Sequence, residues 1–591
     1  MEVNLINYNN PIMSGGLDMR GLPNISNDDF YKRINKIYKE FTIPKKKKTF
    51  KEFCFPKKYK LQLSQQFVSK FINPKSPYKG VLVYHRIGAG KTCTAVRICE
   101  EWKHLRNIIC VMPASLRGGF RNELRTLCAE NNYLKPNERE MLSKLHPSSD
   151  EYKDIIQKSD ERIDEYYNIY SFNKFIDLAK QNKIKLNNTL LVIDEIQNMV
   201  SEEGSYYETL LNLINKGPKD LRIVLLSATP MFDKPHEIAL TMNLLPIPEK
   251  LPVGCDFQKE FINIIKLRDD KFDFEVKNMD KFKEMIKGYV SFFKGAPDHV
   301  FPKMELKYIK CEMSDYQYRA YRNILRNESK NIKKKKITQN IMVDNLPNNF
   351  FIGTRYVSNI VFPNKKIGDK GLKSLTEQKI KRNIKKYSTK FNKILRKIKR
   401  NEKVFIYSSF KKGAGLKSLV KVLETFGYKN YITDGEGPNR YAVWSGDESL
   451  AVKEEIKAVY NNKNNLKGSK LKILLGSPSI KEGVSLTSVK QVHILEPNWN
   501  ISKLQQIIGR ASRFCSHKDV PANQRNVRVY IYLAYHPNLD ESVDEYIRYL
   551  SEKKNKIIES FEKAIKEAAV DCKIFKNANV SKSQRIINCE V

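Results

Sequence analysis

The sequence predicts an α/β protein with two tandem parallel-sheet domains, helical insertions and a helical C-terminal tail. Two observations carry this expectation: two separate series of short apolar runs divided by helical or loop stretches, and polar, chemically suggestive residues at the end of each run in the first series. Parallel strands are buried on both faces and therefore read as continuous apolar segments. Open α/β sheets place their ligands at the carboxyl ends of such strands.

Residues 1–52 are polar, with Asn, Gly and Pro concentrated at the start, and the expectation is a loosely ordered N-terminal arm. The Lys run after Pro44 reads as solvated surface rather than a nuclear address in so Lys-rich a chain. The first domain is expected over 53–248. Leu63 to Ile72 has helical spacing and stops at Asn73-Pro74.

The stretch Val81-Leu-Val-Tyr-His-Arg-Ile-Gly-Ala-Gly-Lys91-Thr92 follows as a buried strand, a glycine-rich turn and the start of a helix continued by Ala95, Val96, Ile98, Cys99 and Trp102. Backbone N–H groups of such a loop wrap a triphosphate, the Lys91 ammonium reaches the outer phosphates, and the Thr92 hydroxyl holds Mg²⁺. His85 occupies the place of the first glycine in the longer form of this pattern. The match is therefore to Gly88, Ala89, Gly90, Lys91 and Thr92, with Cys93 next.

Further strands are expected at Ile108–Val111, Thr189–Ile193 and Ile223–Leu226, and a helical insertion at Lys135–Ile163. The third run ends in Asp194-Glu195-Ile-Gln197. Paired carboxylates at a strand end suit metal-dependent hydrolysis, with Asp194 binding Mg²⁺ and Glu195 deprotonating the attacking water. The alternative is that they cap the helix behind them. The next run ends in Ser227-Ala-Thr229-Pro, whose hydroxyls can bond a carboxylate and report nucleotide state.

Residues 249–387 are expected to hold inter-domain insertions and a basic linker, with a dense run of Lys379, Lys381, Arg382, Lys385 and Lys386 that continues to Arg400. The second domain, 388–538, carries strands at Lys403–Tyr407, Lys472–Leu475, Val492–Leu495 and Val529–Leu533. Near its end comes Gln505-Gln506-Ile-Ile-Gly509-Arg510-Ala-Ser-Arg513. On a helix the two arginines would share one face, and together they could neutralise charge building on a transferring phosphoryl group. ATP would then lie between the domains, and hydrolysis would couple to their closure. The tail, 539–591, is helical by the spacing of Val543, Tyr546, Ile547 and Leu550.

Lys and Arg number 106 against 66 Asp and Glu, a formal charge of +40 that points to a polyanionic partner. The ten cysteines form no close pair, so neither a zinc site nor a disulfide framework is expected and a reducing compartment fits. No signal pattern opens the chain and no apolar run approaches the ~20 residues needed to span a bilayer, so no membrane partner is expected.

Taken together, Gly88–Thr92, Asp194–Gln197, Ser227–Thr229, Glu482-Gly483-Val-Ser-Leu486 and Gln506–Arg513 stand in the order of motifs I, II, III, V and VI of superfamily-2 helicases and translocases. Within that superfamily the chain resembles the Snf2-like ATPases of large cytoplasmic DNA viruses, a group that includes the poxvirus early transcription factor small subunit and nucleoside triphosphate phosphohydrolase I. The closer match rests on Pro74–Tyr78, Ser227–Met231 with Glu237-Ile238, Arg355–Asn359 with Phe362-Pro363, Gly446–Glu448 and Trp499-Asn500.

The resemblance implies two RecA-like domains, ATP and Mg²⁺ as cofactors, and DNA held mainly by its phosphates. It also implies work in viral transcription, beside the viral RNA polymerase or a larger promoter-binding subunit, in the host cytoplasm and the virion. It assigns adenine reading to Gln65, with Gln66 left open by register, and adds Gly483 to the nucleotide contacts and Gln506 to the catalytic set. It places Pro113–Ser115 in motif Ia and Tyr407–Phe410 in motif IV. Gln197 stands where many relatives carry His, and is expected to bond across the domain gap. A replication or repair helicase and a non-catalytic DNA-binding scaffold are the alternatives; the intact Lys91, Asp194, Glu195, Arg510 and Arg513 oppose the scaffold.

Overall fold

The computed structural model describes residues 22–44, 49–57, 59–86, 88–146, 149–200, 204–231, 234–266, 272–334, 351–481, 484–579 and 587–589. The Lys run at 45–48 and the motif V residues Glu482 and Gly483 lie outside them.

Fifteen strands lie among the described residues. The first lobe holds β1 (Gly80–His85), β2 (Asn107–Met112), β3 (Tyr167–Ser171), β4 (Thr189–Asp194) and β5 (Arg222–Ser227), a small antiparallel hairpin of β6 (Ile262–Lys266) and β7 (Phe272–Val276), and β8 (Val290–Phe293). The second holds β9 (Lys303–Glu312), β10 (Lys403–Tyr407), β11 (Lys429–Asn430), β12 (Arg440–Trp444), β13 (Ile473–Gly476), β14 (Val489–Ile494) and β15 (Asn526–Tyr535).

Apart from the hairpin, the strands form a six-stranded sheet, β3-β2-β4-β5-β1-β8, and a seven-stranded sheet, β11-β12-β13-β10-β14-β15-β9. All neighbouring strands in both are parallel. Alternate residues of each run feed opposite faces. Leu82, Ile109 and Leu191 enter one core of the first lobe while Val81, Ile108 and Leu190 enter the other. Val404 and Phe405 divide the second lobe in the same way. Each sheet is thus covered on both sides, as the apolar runs require.

Four features differ from the sequence expectations. Residues 22–44 of the arm are packed, not loose: the helix Phe30–Ile37 buries Phe30 and Ile34, and Tyr38 follows against Phe67. Its aromatic stripe at helical spacing seals the first lobe. The region assigned to linker supplies β8 to the first sheet and β9 to the second, and only 294–302 joins them. Inside the basic run, Lys390 is fully buried, paired with Asp544 at 2.7 Å and bonded to the Leu495 carbonyl at 2.8 Å, because a buried ammonium needs that complement of acceptors. Finally, six cysteines form disulfides: Cys54–Cys515, Cys93–Cys128 and Cys572–Cys589. Their separations of 461, 35 and 17 residues carry no motif, so only the fold brings them together.

The tail is helical and returns to the first lobe. Ser542 and Glu545 form a capping box at the start of the 25-residue helix Val543–Glu567, which spans about 37 Å. Val543 and Ile547 pack beside Trp499 and Ala534 in the second lobe, whereas Phe561, Ile565 and Phe575 enter the cores of the first. Among the described residues no helix is long and apolar enough to cross a membrane.

Asp571 locks the tail in place. It accepts from the Phe292 amide at 2.8 Å and from the Ser291 hydroxyl, which in turn meets His85 Nε2 at 3.0 Å beneath the phosphate loop. Burial raises the Asp571 carboxyl to about 7. A folded-state value above the unfolded one contributes stability that is complete below about pH 4 and lost as pH rises through 7. Asp571→Asn should therefore gain in Tm relative to wild type between pH 6 and pH 8, and parallel Tm–pH curves would show that Asp571 does not titrate with docking.

Candidate ATP site between the lobes

β1 delivers the phosphate loop because its apolar register ends at His85 and glycine then permits the turn. Gly88 and Gly90 have φ of +84° and +76°, the left-handed region that favours glycine. The helix Lys91–Trp102 begins at Gly90 with no side-chain cap, so its first N–H groups are left to a ligand, and the helix dipole favours an anion. Gln65 Nε2 donates to the Gly90 carbonyl at 3.3 Å, and a Cβ on Gly90 would lie 2.6 Å from that nitrogen. Gln66 instead donates to the Leu61 carbonyl at 3.1 Å, so Gln65 is the glutamine at the loop.

Asp194 closes β4 and Glu195 follows with φ of +54°, a costly conformation for a side-chain-bearing residue that recurs at functional sites. The Glu195 amide donates to Asp194 Oδ1 at 2.9 Å, and Lys91 Nζ stands 4.0 Å from Glu195 Oε1. Burial, then repulsion from Glu195, raises the Asp194 carboxyl to about 7, with Lys91 opposing. A buried carboxyl that resists ionisation, beside a second acidic side chain, is a donor a divalent cation would stabilise. Asp194 and the Thr92 hydroxyl therefore fit Mg²⁺.

Gln197 does not cross the domain gap. Its amide nitrogen donates to Glu195 and its oxygen accepts from Ser227 Oγ at 2.7 Å, tying the acidic strand end to the end of β5. Ser227 therefore meets an amide rather than a carboxylate. The bond between lobes comes from its neighbour: Gln506 Nε2 donates to Thr229 Oγ1 at 3.2 Å.

Asn500 caps the helix Ile501–Ala511 by accepting from the Lys503 amide at 3.1 Å. That helix ends before Arg513, so the two arginines do not share a helical face. Arg510 donates to the Val484 carbonyl at 3.3 Å. Arg513 lies in the following turn, with Nε on the Gly509 carbonyl at 3.2 Å and its guanidinium on Ser485. Burial lowers Arg513 to about 10 while the Glu195 charge opposes the shift, which sets this guanidinium in the field of the acidic strand end. The lobes also meet where a Cβ on Gly88 would lie 3.4 Å from Phe514 Cβ.

Lys91, Asp194, Glu195, Gln506 and Arg513 are thus brought to one cleft, with Gln65 on its first-lobe side, whereas the Ala89 and Cys93 side chains are buried in the first-lobe core and Cys93 is bonded to Cys128. Pro113–Ser115 lies at the end of β2, where Ala114 and Ser115 are exposed. Sequence reasoning missed Glu496, which accepts from Ser408 Oγ at 2.7 Å, from the Ser409 amide at 3.0 Å and from Asn359 at 2.5 Å. It holds the Tyr407–Phe410 segment in place, and its position after β14 was the available signal.

Dividing the reactive groups between two lobes makes hydrolysis depend on their approach, the working principle of helicase-type motor ATPases. The chain matches the SNF2-related domain over residues 59–360 and the helicase conserved C-terminal domain over 387–515. It belongs to the SNF2-related helicase family and is a nucleic-acid-dependent ATPase. A relative from Acanthamoeba polyphaga mimivirus, provisionally named as an ATP-dependent RNA helicase, is 54% identical over 96% of this chain and 98% of its own length. The termination factor NPH-I homologue of African swine fever virus is 24% identical over 84% of this chain and 76% of its own. Among solved structures, the SWI2/SNF2 ATPase core of Sulfolobus solfataricus, in a complex with double-stranded DNA, matches at 15% identity over 88% of this chain and 95% of its own, with a TM-score of 0.28.

Proposed function

We propose that this chain is a DNA-dependent ATPase and translocase of a viral transcription apparatus, acting in initiation or in elongation and termination. The observation that carries the reading is the pairing of a two-lobed ATP cleft with a net charge of +40. The African swine fever virus relative named as a termination factor supports the transcription role. Viral RNA polymerase or a promoter-binding subunit would be the partner, in the host cytoplasm and the virion.

In this reading Gln65 reads adenine, with Gly88 to Cys93 and Gly483 around the nucleotide. Lys91 holds the outer phosphates, Glu195 takes the proton of the attacking water, and Arg513 with Arg510 stabilises the transferring phosphoryl. Thr92 and Asp194 would hold Mg²⁺, which when bound neutralises charge on the phosphate oxygens. Gln506 senses the approach of the lobes through Thr229.

DNA is gripped by its phosphates, so binding should be steeply salt-dependent and nearly sequence-blind. Arg382 and Lys385 are exposed on the helix Glu377–Tyr387, while Lys381 is already paired with Glu377. Reversing the charges of Lys379, Arg382 and Lys385 is expected to raise the DNA concentration for half-maximal ATPase stimulation about tenfold. The salt slope should fall by about one unit per lost phosphate contact. Unchanged stimulation removes this helix from the footprint.

A second reading, an RNA helicase, is favoured by the name of the mimivirus relative. Comparing ATPase stimulation by duplex DNA, single-stranded DNA and RNA, with strand displacement scored in parallel, separates the two. Stimulation by duplex DNA without displacement supports the translocase, and RNA-selective stimulation with displacement supports the alternative.

A further inference from the structure

The segment in front of the ATP site leaves the first lobe and returns to it. At Ile43 the chain is still on that lobe, its amide donating to the Ile574 carbonyl at 3.2 Å. Thr49 and Glu52 then form a capping box on the short helix Phe50–Cys54. This helix meets residues beyond the arginine turn of the second lobe: Arg525 lies 3.6 Å from the centroid of the Phe50 ring, and Phe53 packs edge-on to Phe514. By Tyr59 the chain is back beside the phosphate-loop helix, its hydroxyl 3.2 Å from Cys93 Sγ, and Gln62 and Gln65 follow.

The far point of this excursion is pinned covalently. Cys54 is bonded to Cys515, with Cα atoms 5.5 Å apart, and the Cys515 amide donates to the Val300 carbonyl of the inter-sheet connection at 3.1 Å. Cys515 lies two residues past Arg513, and Cys54 lies eleven before Gln65. The other two disulfides join groups within the cores of the first lobe. Cys54–Cys515 alone among the described pairs fastens the adenine-side segment to the arginine turn across the cleft.

We propose that Cys54 and Cys515 are a thiol–disulfide exchange site that takes a low-molecular-weight disulfide of the glutathione class and, when oxidised, locks the two lobes at a fixed spacing. A thiolate of the pair attacks the small disulfide RSSR, forming a mixed disulfide and releasing one RSH. The second cysteine displaces the other RSH, so two protein thiols are oxidised, RSSR is reduced to two RSH, and both protons leave on the released thiols. A thiol reductant reverses the reaction. Cys54 and Cys515 keep 6% and 9% of their surface exposed, so exchange is expected to be slow in both directions, and the oxidised bond then forbids the lobes to part.

Turnover requires the lobes to part after each hydrolysis, so the bond arrests the cycle without removing any group from the site. The inference rests on ATP turnover by the cleft, not on the transcription role.

The test compares nucleic-acid-stimulated ATPase of the full chain after glutathione disulfide and after dithiothreitol, with the Cys54–Cys515 peptide followed by mass spectrometry. The oxidised wild type is expected to lose at least about tenfold of its stimulated rate and recover it on reduction. Cys54→Ser, which keeps Cys93–Cys128, should run at the reduced wild-type rate in both conditions, and Cys515→Ser provides the same release from the other side. The proposal is overturned if no cross-link forms, if cross-linked protein turns over normally, or if both serine variants lose activity with glutathione disulfide as the wild type does. Reduced wild-type protein without stimulated turnover would instead overturn the functional reading.

Discussion

Lys91→Ala is expected to lower ATP turnover by three orders of magnitude or more while leaving the fold intact. Lys91 is the first residue of the phosphate-loop helix and its side chain stands 4.0 Å from Glu195, poised over the position where outer phosphates meet the uncapped helix start. Alanine retains the helix start and the loop glycines but deletes the ammonium that, in the proposed function, stabilises charge on the transferring group. Preorganised charges of this kind are worth about 10²–10³ each, and more when they also orient the phosphates. Circular dichroism with single-turnover hydrolysis checks it; residual turnover within tenfold of wild type would remove Lys91 from the chemistry.

Arg513→Ala is expected to cost about 10³–10⁵ in turnover with little change in nucleotide affinity, the signature of an arginine acting in the transition state. Arg513 is preferred over Arg510 as the dominant finger because its charge lies in the field of Glu195, whereas Arg510 is buried against the Val484 carbonyl. Arg510 is placed to hold the segment carrying Ser485, on which the Arg513 guanidinium rests. Replacement by Lys should recover little of the loss, since a point charge cannot reproduce the planar fork.

Much of this site is legible in the sequence alone. β1, β2, β4 and β5 are central strands of a parallel sheet, so their burial on both faces wrote continuous apolar runs, and chemistry followed each run. β3, Tyr-Asn-Ile-Tyr-Ser, lies at a sheet edge, and its polar residues hid it. β8 is four residues long and β9 is an edge strand with Lys303, Glu305 and Lys307 on one side of its register, so both read as linker.

What sequence could not show were contacts made by the fold. Gln197 faces Ser227 because β4 and β5 are neighbours, and nothing local ruled out a reach across the gap. The helix before Arg513 ends at Ala511 with neither Gly nor Pro to mark it, so the three-residue spacing of the arginines suggested a shared face. The tail showed its helical period but not its destination, which depends on Phe561 and Phe575 finding the cores of the first lobe.

The central claim is that one ATP site is completed by groups from both lobes. Nucleotide affinity and nucleic-acid-stimulated turnover, measured on the same Arg513→Ala preparation, test it most directly. Affinity within about threefold of wild type, with turnover reduced at least a thousandfold, is the expected result. Turnover within tenfold of wild type would contradict the account, because the second lobe would then contribute nothing essential to the chemistry.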